Sequence, residues 1–397
     1  MRRDDFSKPD GLRPQRQPDS YPPHDAGGFR NSVSGDGRGD LRTSLAWMDG
    51  LIHASGRTDE SPWSLSRGGQ RASGTGSADG GDLRARRGPS ADGGPAFDAA
   101  VAPGGYRWWY IDAVSDDGDF SLTVIAFIGS VFSPYYAWSN WADPYRHCAV
   151  NVALYGPRGA RWAMTERSGA SLRQSPETLA IGPSSLQWRD GALAIRLDEI
   201  AAPIPKRIRG EIVVEPQAIN RLAFTLEAAG AHHWRPIAPV ARVKVKLEAP
   251  DLAWRGHAYI DTNAGDEPLE KAFASWTWSR ARIGDSAAIF YDAERRREPA
   301  LSLALRVNAA GDVEEMEPPP VAALPKTKWL LSRRTRAQGG AAGVLRDFED
   351  TPFYSRSLVA SHMDGAPVEW VHESLSLDRF ANPIVRLMLP FRMPRRG

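Results

Sequence analysis

The feature that most constrains the fold is a succession of short segments rich in Val, Ile, Tyr and Trp, which runs from Gly104 to the end of the chain. In ARVKVKLEAP, residues 241–250, apolar residues alternate with Arg and Lys, a pattern typical of a β-strand with one buried face. The segments DDGD (116–119) and RDGA (189–192) contain Asp-Gly and predict hairpin turns. About sixteen such strands, and no long segment of helical period, predict an all-β protein.

This number of strands exceeds what one small barrel holds and favours two barrels or sandwiches, with a boundary near Pro250. We therefore expect domains over residues 97–250 and 251–397. Residues 1–96 differ from both, because they contain 17 of the 37 glycines and many Ser, Arg, Asp and Pro. A segment of this composition buries too little apolar surface to offset its loss of conformational entropy, so we predict a disordered tail. Within it, residues 41–54 are compatible with a short amphipathic helix.

Composition and motifs exclude several classes of function. The chain has 50 basic and 48 acidic residues and a net charge of +2, which gives no reason to expect nucleic-acid binding. It contains no P-loop, no GxGxxG after a predicted strand, and no HExxH, CxxC or GxSxG motif, so we expect no cofactor and no metal. The N-terminus lacks the apolar region of a secretory signal. The most apolar run, residues 122–132, is too short to cross a membrane as a helix.

The stretch GHAYIDTNAG, residues 256–265, combines a carboxyl group with aromatic residues. On a β-strand, Tyr259 and Asp261 project from the same face. A carboxylate among aromatic side chains is costly to bury unless it is paired or protonated, so Asp261 is a candidate general acid. Because Thr-Asn-Ala-Gly follows, Asp261 is also a candidate turn cap. Asp112 is a rival acid, since Tyr110 and Asp112 repeat the same spacing.

Aromatic residues are the other distinctive feature. The chain has 14 tryptophans, many of them at predicted strand positions. Packing in barrel cores explains most of them, and the alternative is an elongated apolar cavity for a hydrophobic ligand. The segment VFSPYYAWSNWADPYRHC, residues 131–148, is dense in Tyr and Trp and is interrupted by prolines. We predict a long aromatic loop there, which is either the entrance of such a cavity or a packed Ω-loop.

Three longer strings resemble a known family. They are GGYRWWYIDAVSDDGDFSLTVIAFIGSVFSPYY (104–136), HHWRPIAP (232–239) and WRGHAYIDTNAGDEPLEKAFASWTWSRA (254–281). Together they resemble the carotenoid 1,2-hydratases of phototrophic bacteria, also called hydroxyneurosporene synthases, from about Gly104 to the C-terminus. The resemblance implies two lipocalin-like β-barrels after the disordered tail. It also implies a cofactor-independent addition of water to the terminal C1–C2 double bond of acyclic carotenes such as neurosporene or lycopene.

The resemblance implies roles for individual residues. Asp261 matches the general acid that protonates C2 of the alkene, and Tyr259 orients its carboxyl group. Trp234 stabilises the tertiary carbocation at C1 through its ring, while His232 positions the attacking water and accepts its proton. Alternation places His232 on the side of Trp234, although the sequence leaves His233 open. We further expect aromatic side chains to bind the substrate, namely Trp254, Trp276, Trp278, Tyr135 and Trp138.

The implied partners are an acyclic carotenoid, water and, because such a substrate resides in the bilayer, membrane lipid. We therefore expect a peripheral protein on the cytoplasmic side of the inner or intracytoplasmic membrane, with aromatic residues of the 131–148 segment inserted shallowly. Two other functions stay open. The first is a non-catalytic carrier of carotenoids or other apolar lipids with the same cavity, and the second is a carbohydrate-binding β-sandwich rich in aromatic residues.

Overall fold

The computed structural model describes residues 86–87 and 93–396. Their strands, in chain order, are β1 (Arg86–Arg87), β2 (Tyr106–Ser115), β3 (Ser121–Ile128), β4 (Cys148–Tyr155), β5 (Arg161–Arg167), β6 (Leu172–Ser175), β7 (Thr178–Ile181), β8 (Ser184–Arg189), β9 (Ala192–Ile200), β10 (Arg207–Pro216), β11 (Leu222–Thr225), β12 (His232–Ala249) and β13 (Leu252–Gly265). They continue with β14 (Phe273–Ile283), β15 (Ser286–Arg295), β16 (Leu301–Val307), β17 (Val313–Glu315), β18 (Val321–Leu324), β19 (Arg333–Arg336), β20 (Ala342–Asp350), β21 (Tyr354–Met363), β22 (Ala366–Ser376) and β23 (Arg395–Arg396). The predicted all-β class is confirmed.

The helices of the described residues are short. The α-helices are α1 (Pro134–Trp138), α2 (Leu269–Ala272), α3 (Leu377–Ala381) and α4 (Pro383–Met388). Single 3-10 turns occur at Pro144–Arg146, Gly169–Ser171, Gln338–Gly340 and Leu389–Phe391. None of these helices has the length and apolar composition to cross a bilayer.

The strands form two sheets and one hairpin. The first sheet contains 14 strands, β1 to β13 and β23, and the second contains seven, β14 to β17 and β20 to β22. Strands β18 and β19 pair with each other. Most pairings join strands that follow one another along the chain, as expected for antiparallel sheets built from hairpins. Among the exceptions, β2 pairs with β13, and β23 returns from the C-terminus to pair in parallel with β5.

Local sequence signals explain several of these elements. Asp190 and Gly191 join β8 to β9 with φ angles of 52° and 75°, which are values of a type I′ hairpin turn. The DDGD segment lies in the turn between β2 and β3, where Gly118 has a φ of 76°. Both predicted hairpins are confirmed. Over residues 241–247 of β12 the apolar side chains are buried and the Arg and Lys side chains are half-buried or exposed, as predicted from their alternation.

Three apolar clusters define the layers of the fold. The first sheet curls around the first cluster, which takes side chains from strands far apart in that sheet, such as Val150 and Leu179. The second cluster fills the space between the two sheets, with Trp108 and Trp234 from the first sheet and Trp276 from the second. The third cluster lies on the other face of the second sheet.

Strand β2 is buried on both faces, and this explains its sequence. Trp109 and Ile111 belong to the first cluster, whereas Trp108 and Tyr110 belong to the second. A strand that is covered on both sides needs apolar side chains on both sides. The segment YRWWYIDAV therefore lacks the alternation of apolar and polar residues that marks a strand at the surface.

The first sheet continues through Gly265, and the second begins at Phe273. The expected division at residue 250 into two lipocalin-like barrels stays a prediction.

Most of the tail predicted for residues 1–96 lies outside the described residues, as does the short helix predicted at 41–54. The end of the tail is described. Residues 93–95 are buried, because Arg235 and Trp109 donate hydrogen bonds to the carbonyl groups of Gly94 and Pro95. This stretch is thus hydrogen-bonded to the first sheet, and the disordered tail over residues 1–96 stays a prediction.

Candidate active site

Three neighbouring strands of the first sheet bring the candidate residues together. Strands β2 and β13 pair antiparallel, with Asp261 opposite Tyr110 and Tyr259 opposite Asp112. Strand β12 pairs with the other edge of β13 and carries Trp234. These side chains face the second sheet, since they belong to the second apolar cluster, line a cavity between the sheets or form ion pairs with residues of the second sheet.

Asp261 is buried, and its two carboxyl oxygens differ. The Trp234 indole N–H and the Tyr259 hydroxyl both donate to Oδ2, each over 2.9 Å. The other oxygen, Oδ1, is buried without a hydrogen-bond partner among the described residues. Because β13 continues to Gly265, Asp261 does not cap a turn, and that alternative is wrong.

The environment of Asp261 favours its neutral form. Burial raises the pKa of Asp261 to about 7, because the ionised carboxyl group loses its hydration. The hydrogen bonds from Trp234 and Tyr259 oppose this rise, while the negative charges of Glu373 and Asp112 add to it. A carboxyl group with this pKa is largely protonated below pH 7 and is available as a proton donor.

A small cavity of about 40 Å³ adjoins Asp261, and this is enough space for a water molecule. Aromatic side chains dominate its lining, which consists of Trp108, Tyr110, Asp261, Asn263, Trp276, Trp278, Tyr291 and Glu373. The amide oxygen of Asn263 is buried without a partner among the described residues, as is Oδ1 of Asp261. Two unsatisfied acceptors beside one small cavity indicate a site for water or for a donor group of a ligand.

A larger cavity of about 270 Å³ lies between the two sheets. It shares Trp108, Tyr110, Trp276 and Glu373 with the small cavity. The rest of its lining is mostly apolar and comes from β3, β4, β5, residues 349–354 at the junction of β20 and β21, and the segment after β22. The small cavity beside Asp261 therefore shares a wall with an apolar space that is large enough to receive part of a hydrophobic molecule.

Asp112, the rival acid, has a different environment. Its oxygens accept hydrogen bonds from the guanidinium groups of Arg280 and Arg356, and all three side chains are buried. Arg356 also donates to Glu373, whose Oε1 atom accepts a hydrogen bond of 2.8 Å from the Tyr110 hydroxyl. Two guanidinium partners hold a carboxylate anion in place, so Asp112 is less suited than Asp261 to donate a proton.

His232 is fully buried on the same face as Trp234, as alternation predicted, but it does not line the small cavity. Its Nδ1 atom lies 2.9 Å from the Tyr106 hydroxyl. Burial lowers the pKa of His232 to about 4, although the charges of Glu227 and Asp266 oppose this, so the ring is neutral at pH 7.

The contact between His232 and Tyr106 depends on a glycine. A Cβ atom at Gly265 would lie 2.5 Å from Nδ1 of His232 and 2.5 Å from the Tyr106 ring. This close approach leaves no room for a side chain, so the last residue of GHAYIDTNAG must be glycine. The neighbouring His233 is half-buried, and its Nδ1 atom lies 3.4 Å from the Thr225 hydroxyl.

The residues expected to bind the substrate fall into two groups. Trp276 and Trp278 line the small cavity beside Asp261. Trp254, in contrast, packs against the first apolar cluster, on the other face of β13. Tyr135 and Trp138 belong to α1 and line a separate surface pocket. Contrary to expectation, Trp254, Tyr135 and Trp138 do not line either of the two cavities near Asp261.

Two polar residues that line the small cavity were not predicted from the sequence. Asn263 carried a usable signal, because it lies two residues beyond Asp261 on the same strand and alternation puts it on the same face. Glu373 carried none. It lies on β22, where it pairs with Trp278 on one side and Arg356 on the other, and nothing in VEWVHESLSL relates it to Asp261.

A family model and two related proteins agree with one another. A family model described as "Carotenoid hydratase CrtC" matches residues 124–397. An acyclic carotenoid 1,2-hydratase of Thiocapsa roseopersicina is 53% identical over 379 residues, which cover 94% of each chain. A protein of the same name from Rubrivivax gelatinosus is 47% identical over 388 residues, 96% of each chain. The matched family model includes the strands that carry Trp234, Tyr259 and Asp261 and covers more than half of the sequence, and so the chain belongs to the carotenoid hydratase family.

Proposed function

We propose that this protein adds water across the terminal C1–C2 double bond of acyclic carotenes such as neurosporene, lycopene and their 1-hydroxy derivatives. The observation that carries the proposal is Asp261, a buried carboxyl group with a pKa raised to about 7 beside a small cavity lined mainly by aromatic side chains. The names of the related proteins point to the same substrate class and reaction. The reaction proceeds by protonation of C2 and capture of the tertiary carbocation at C1 by water.

Asp261 is the proton donor. Oδ2 already accepts two hydrogen bonds, from Trp234 and Tyr259, so the proton of the neutral acid resides on Oδ1. That atom has no protein partner among the described residues, and it is therefore free to meet the alkene. Trp234 and Tyr259 fix the orientation of the carboxyl group, which general acid catalysis requires.

The carbocation is stabilised by the faces of aromatic rings. Trp276, Trp278 and Tyr291 line the small cavity, and a cation above such a ring gains about 2 kcal/mol or more when water is excluded. Trp234 is buried beside Tyr291, with ring centroids 5.0 Å apart. Its contribution to the cation is secondary to the hydrogen bond that it gives Asp261.

Glu373 and Asn263 hold the attacking water. Both line the cavity beside Asp261, whereas His232 does not, which favours Glu373 over His232 as the group that receives a proton from the bound water. A carboxylate accepts up to about four hydrogen bonds, so Glu373 retains capacity beyond its bonds to Tyr110 and Arg356. When water adds to C1 it loses one proton, and turnover requires that a proton return to Asp261. His232 acts indirectly, by fixing Tyr106.

The rest of the proposal concerns architecture and location. The two sheets correspond to two lipocalin-like units, and the larger cavity between them receives one end of the carotene. The reaction needs no cofactor, because the acid, the cation-stabilising rings and the water all come from the cavity. The substrate partitions into lipid, so we place the protein at the cytoplasmic surface of the inner or intracytoplasmic membrane.

Product analysis tests the proposal. The wild-type protein, incubated with lycopene in detergent, is expected to yield a product heavier by one water, and Asp261→Asn is expected to yield none while it still binds the pigment. Asn keeps the size of the side chain but has no acidic proton. If the wild type binds lycopene and forms no hydrated product, the protein is a carrier of apolar lipids instead.

A further inference from the structure

Exposed apolar side chains are concentrated at one place on the described surface. Six of its eleven exposed large apolar residues lie in two short segments, namely Trp329, Leu330, Ile384, Leu387, Met388 and Phe391. Ile384 and Leu387 on α4 are 70% and 69% exposed, and Phe391 is 74% exposed. Side chains of this size are seldom left so open in a cluster unless the surface meets a partner. We call these six residues the apolar rim.

The apolar rim surrounds the outer part of the larger cavity. Trp329, Met388 and Phe391 line that cavity as well as the surface. Arg379 on α3 donates hydrogen bonds to the carbonyl groups of Trp329 and Leu330, which ties the first segment of the rim to the helices that carry the second. Leu330 has a φ of 60° and donates its backbone N–H to the carbonyl group of Thr327, so it lies in a tight turn that holds its side chain at the surface.

In both segments of the apolar rim the charged residues are basic. From Arg379 to the C-terminus the sequence contains five arginines and no acidic residue, although Arg386 and Arg395 pair with Glu270 and Glu166 from other elements. Arg395 and Arg396 are exposed, as are Lys326 and Lys328 beside Trp329. An apolar surface with aromatic residues and a border of Lys and Arg fits the interface of a bilayer that contains anionic lipid.

We propose that the apolar rim docks on the surface of a bilayer that contains anionic lipid, with the larger cavity opening toward the acyl chains. The end of a carotene then passes from lipid to Asp261 without crossing water, while the rest of the polyene stays in the bilayer. A volume of about 270 Å³ lies below the roughly 300–1,000 Å³ of pockets for drug-sized ligands, which fits entry of one end only. Delivery of a carotene rests on the proposed function, whereas docking itself does not.

Flotation with lipid vesicles tests the docking. The double variant Ile384→Ser, Leu387→Ser removes two exposed side chains that do not line the cavity. Its binding to vesicles of phosphatidylcholine and phosphatidylglycerol is expected to fall at least about tenfold. The matched control is Ile200→Ser, Ile204→Ser, which changes two exposed isoleucines at the β9–β10 hairpin and should bind like the wild type. Lys328→Gln, Arg396→Gln should weaken binding to the anionic vesicles and leave binding to pure phosphatidylcholine unchanged.

Three results would overturn the proposal. The first is equal flotation of the rim variant and the wild type. The second is a loss of binding in Tyr135→Ser, Trp138→Ser with the rim variant unaffected, which would assign docking to the 131–148 segment. The third is a change from dimer to monomer on gel filtration with vesicle binding intact, which would make the rim a contact between copies.

Activity separates docking from the proposed function. The rim variant should match the wild type with lycopene in detergent micelles and lose activity with lycopene in vesicles. Loss in both would show that α4 supports the fold or the cavity and not the transfer from lipid, and would contradict the delivery step. If the wild type binds vesicles but hydrates lycopene neither in micelles nor in vesicles, the proposed function is wrong and the docking surface is still supported.

Discussion

Two buried aspartates lie on adjacent strands in the same sequence context, and they have opposite environments. Tyr110 and Asp112 on β2 face Asp261 and Tyr259 on β13 in antiparallel register. Asp112 binds two guanidinium groups, while Asp261 binds one indole N–H and one phenol. Neither partner of Asp261 carries a charge, so the two hydrogen bonds offset the effect of burial only in part and the pKa of Asp261 stays raised. The comparison shows that the groups around a buried carboxyl, more than its own strand, decide whether it is an ion-pair partner or an acid.

Replacing each aspartate by Asn should reveal the largest difference between the two sites, measured as the change in the free energy of unfolding. Asp112→Asn leaves Arg280 and Arg356 without their shared counter-charge and is expected to reduce the free energy of unfolding by about 3–5 kcal/mol. Asp261→Asn should act in the other direction at pH 8. The folded-state pKa of Asp261, about 7, lies above the unfolded value of about 3.9, so the stability contributed by its neutral form is full below pH 4 and is lost as the pH rises to 7.

Asn does not titrate, so Asp261→Asn should be more stable than the wild type at pH 8, by up to about 4 kcal/mol, and should lose most of this advantage near pH 4. Urea unfolding of both variants and the wild type at the two pH values measures these differences. Destabilisation of Asp261→Asn at pH 8 by as much as Asp112→Asn would contradict the assignment of a neutral Asp261.

Glu373→Gln probes the group that lies close to both aspartates. We expect the turnover rate to fall about 100-fold, a typical loss when a general base is removed, with carotene binding retained. The charge of Glu373 also raises the pKa of Asp261, so its removal lowers that pKa and the rate should be compared at about pH 5, where Asp261 is protonated in either case. Recovery of the full rate at that pH would reduce Glu373 to an electrostatic role. His232→Gln is the companion variant. A larger loss of turnover rate in His232→Gln than in Glu373→Gln would assign the role of general base to His232.

The smallest expected effect concerns the hydrogen bonds to Oδ2 of Asp261. In the wild type, the hydration rate should fall as the pH rises through about 7, because the acid ionises. Trp234→Phe removes a donor that lowers the pKa of Asp261, so the fall should move to higher pH, by about one unit at most. Trp370→Phe, which removes a buried indole N–H bonded to Ser361 in the third cluster, serves as the control with no shift. A shift to lower pH in Trp234→Phe would mean that another group titrates.

The sequence predicted the parts of this arrangement that depend on a single strand. Alternation along β13 and β12 put Tyr259 with Asp261 and His232 with Trp234, and the structure agrees. The same rule, applied to Trp254, would have excluded it, since it lies an odd number of positions before Tyr259 and Asp261 and therefore projects from the opposite face. Proximity in the sequence was the wrong criterion there.

The partners from the second sheet could not be predicted. Arg280, Arg356 and Glu373 come from β14, β21 and β22, more than a hundred residues beyond Asp112. Which of their side chains meet β2 and β13 depends on how the two sheets pack, and no local pattern encodes that packing. The local pattern of the two Tyr-x-Asp segments therefore does not distinguish them, and only the resemblance favoured Asp261.

Strand β23 has a mechanical consequence for the larger cavity. The chain leaves the second sheet at the end of β22 and joins the first sheet at β23, beside β5, and Arg395 is held there by Glu166 and His147. The segment over the cavity is thus tethered at both ends, once to each sheet. Its length limits how far the sheets can separate, and access for a bulky end group must come from rearrangement within residues 377–394.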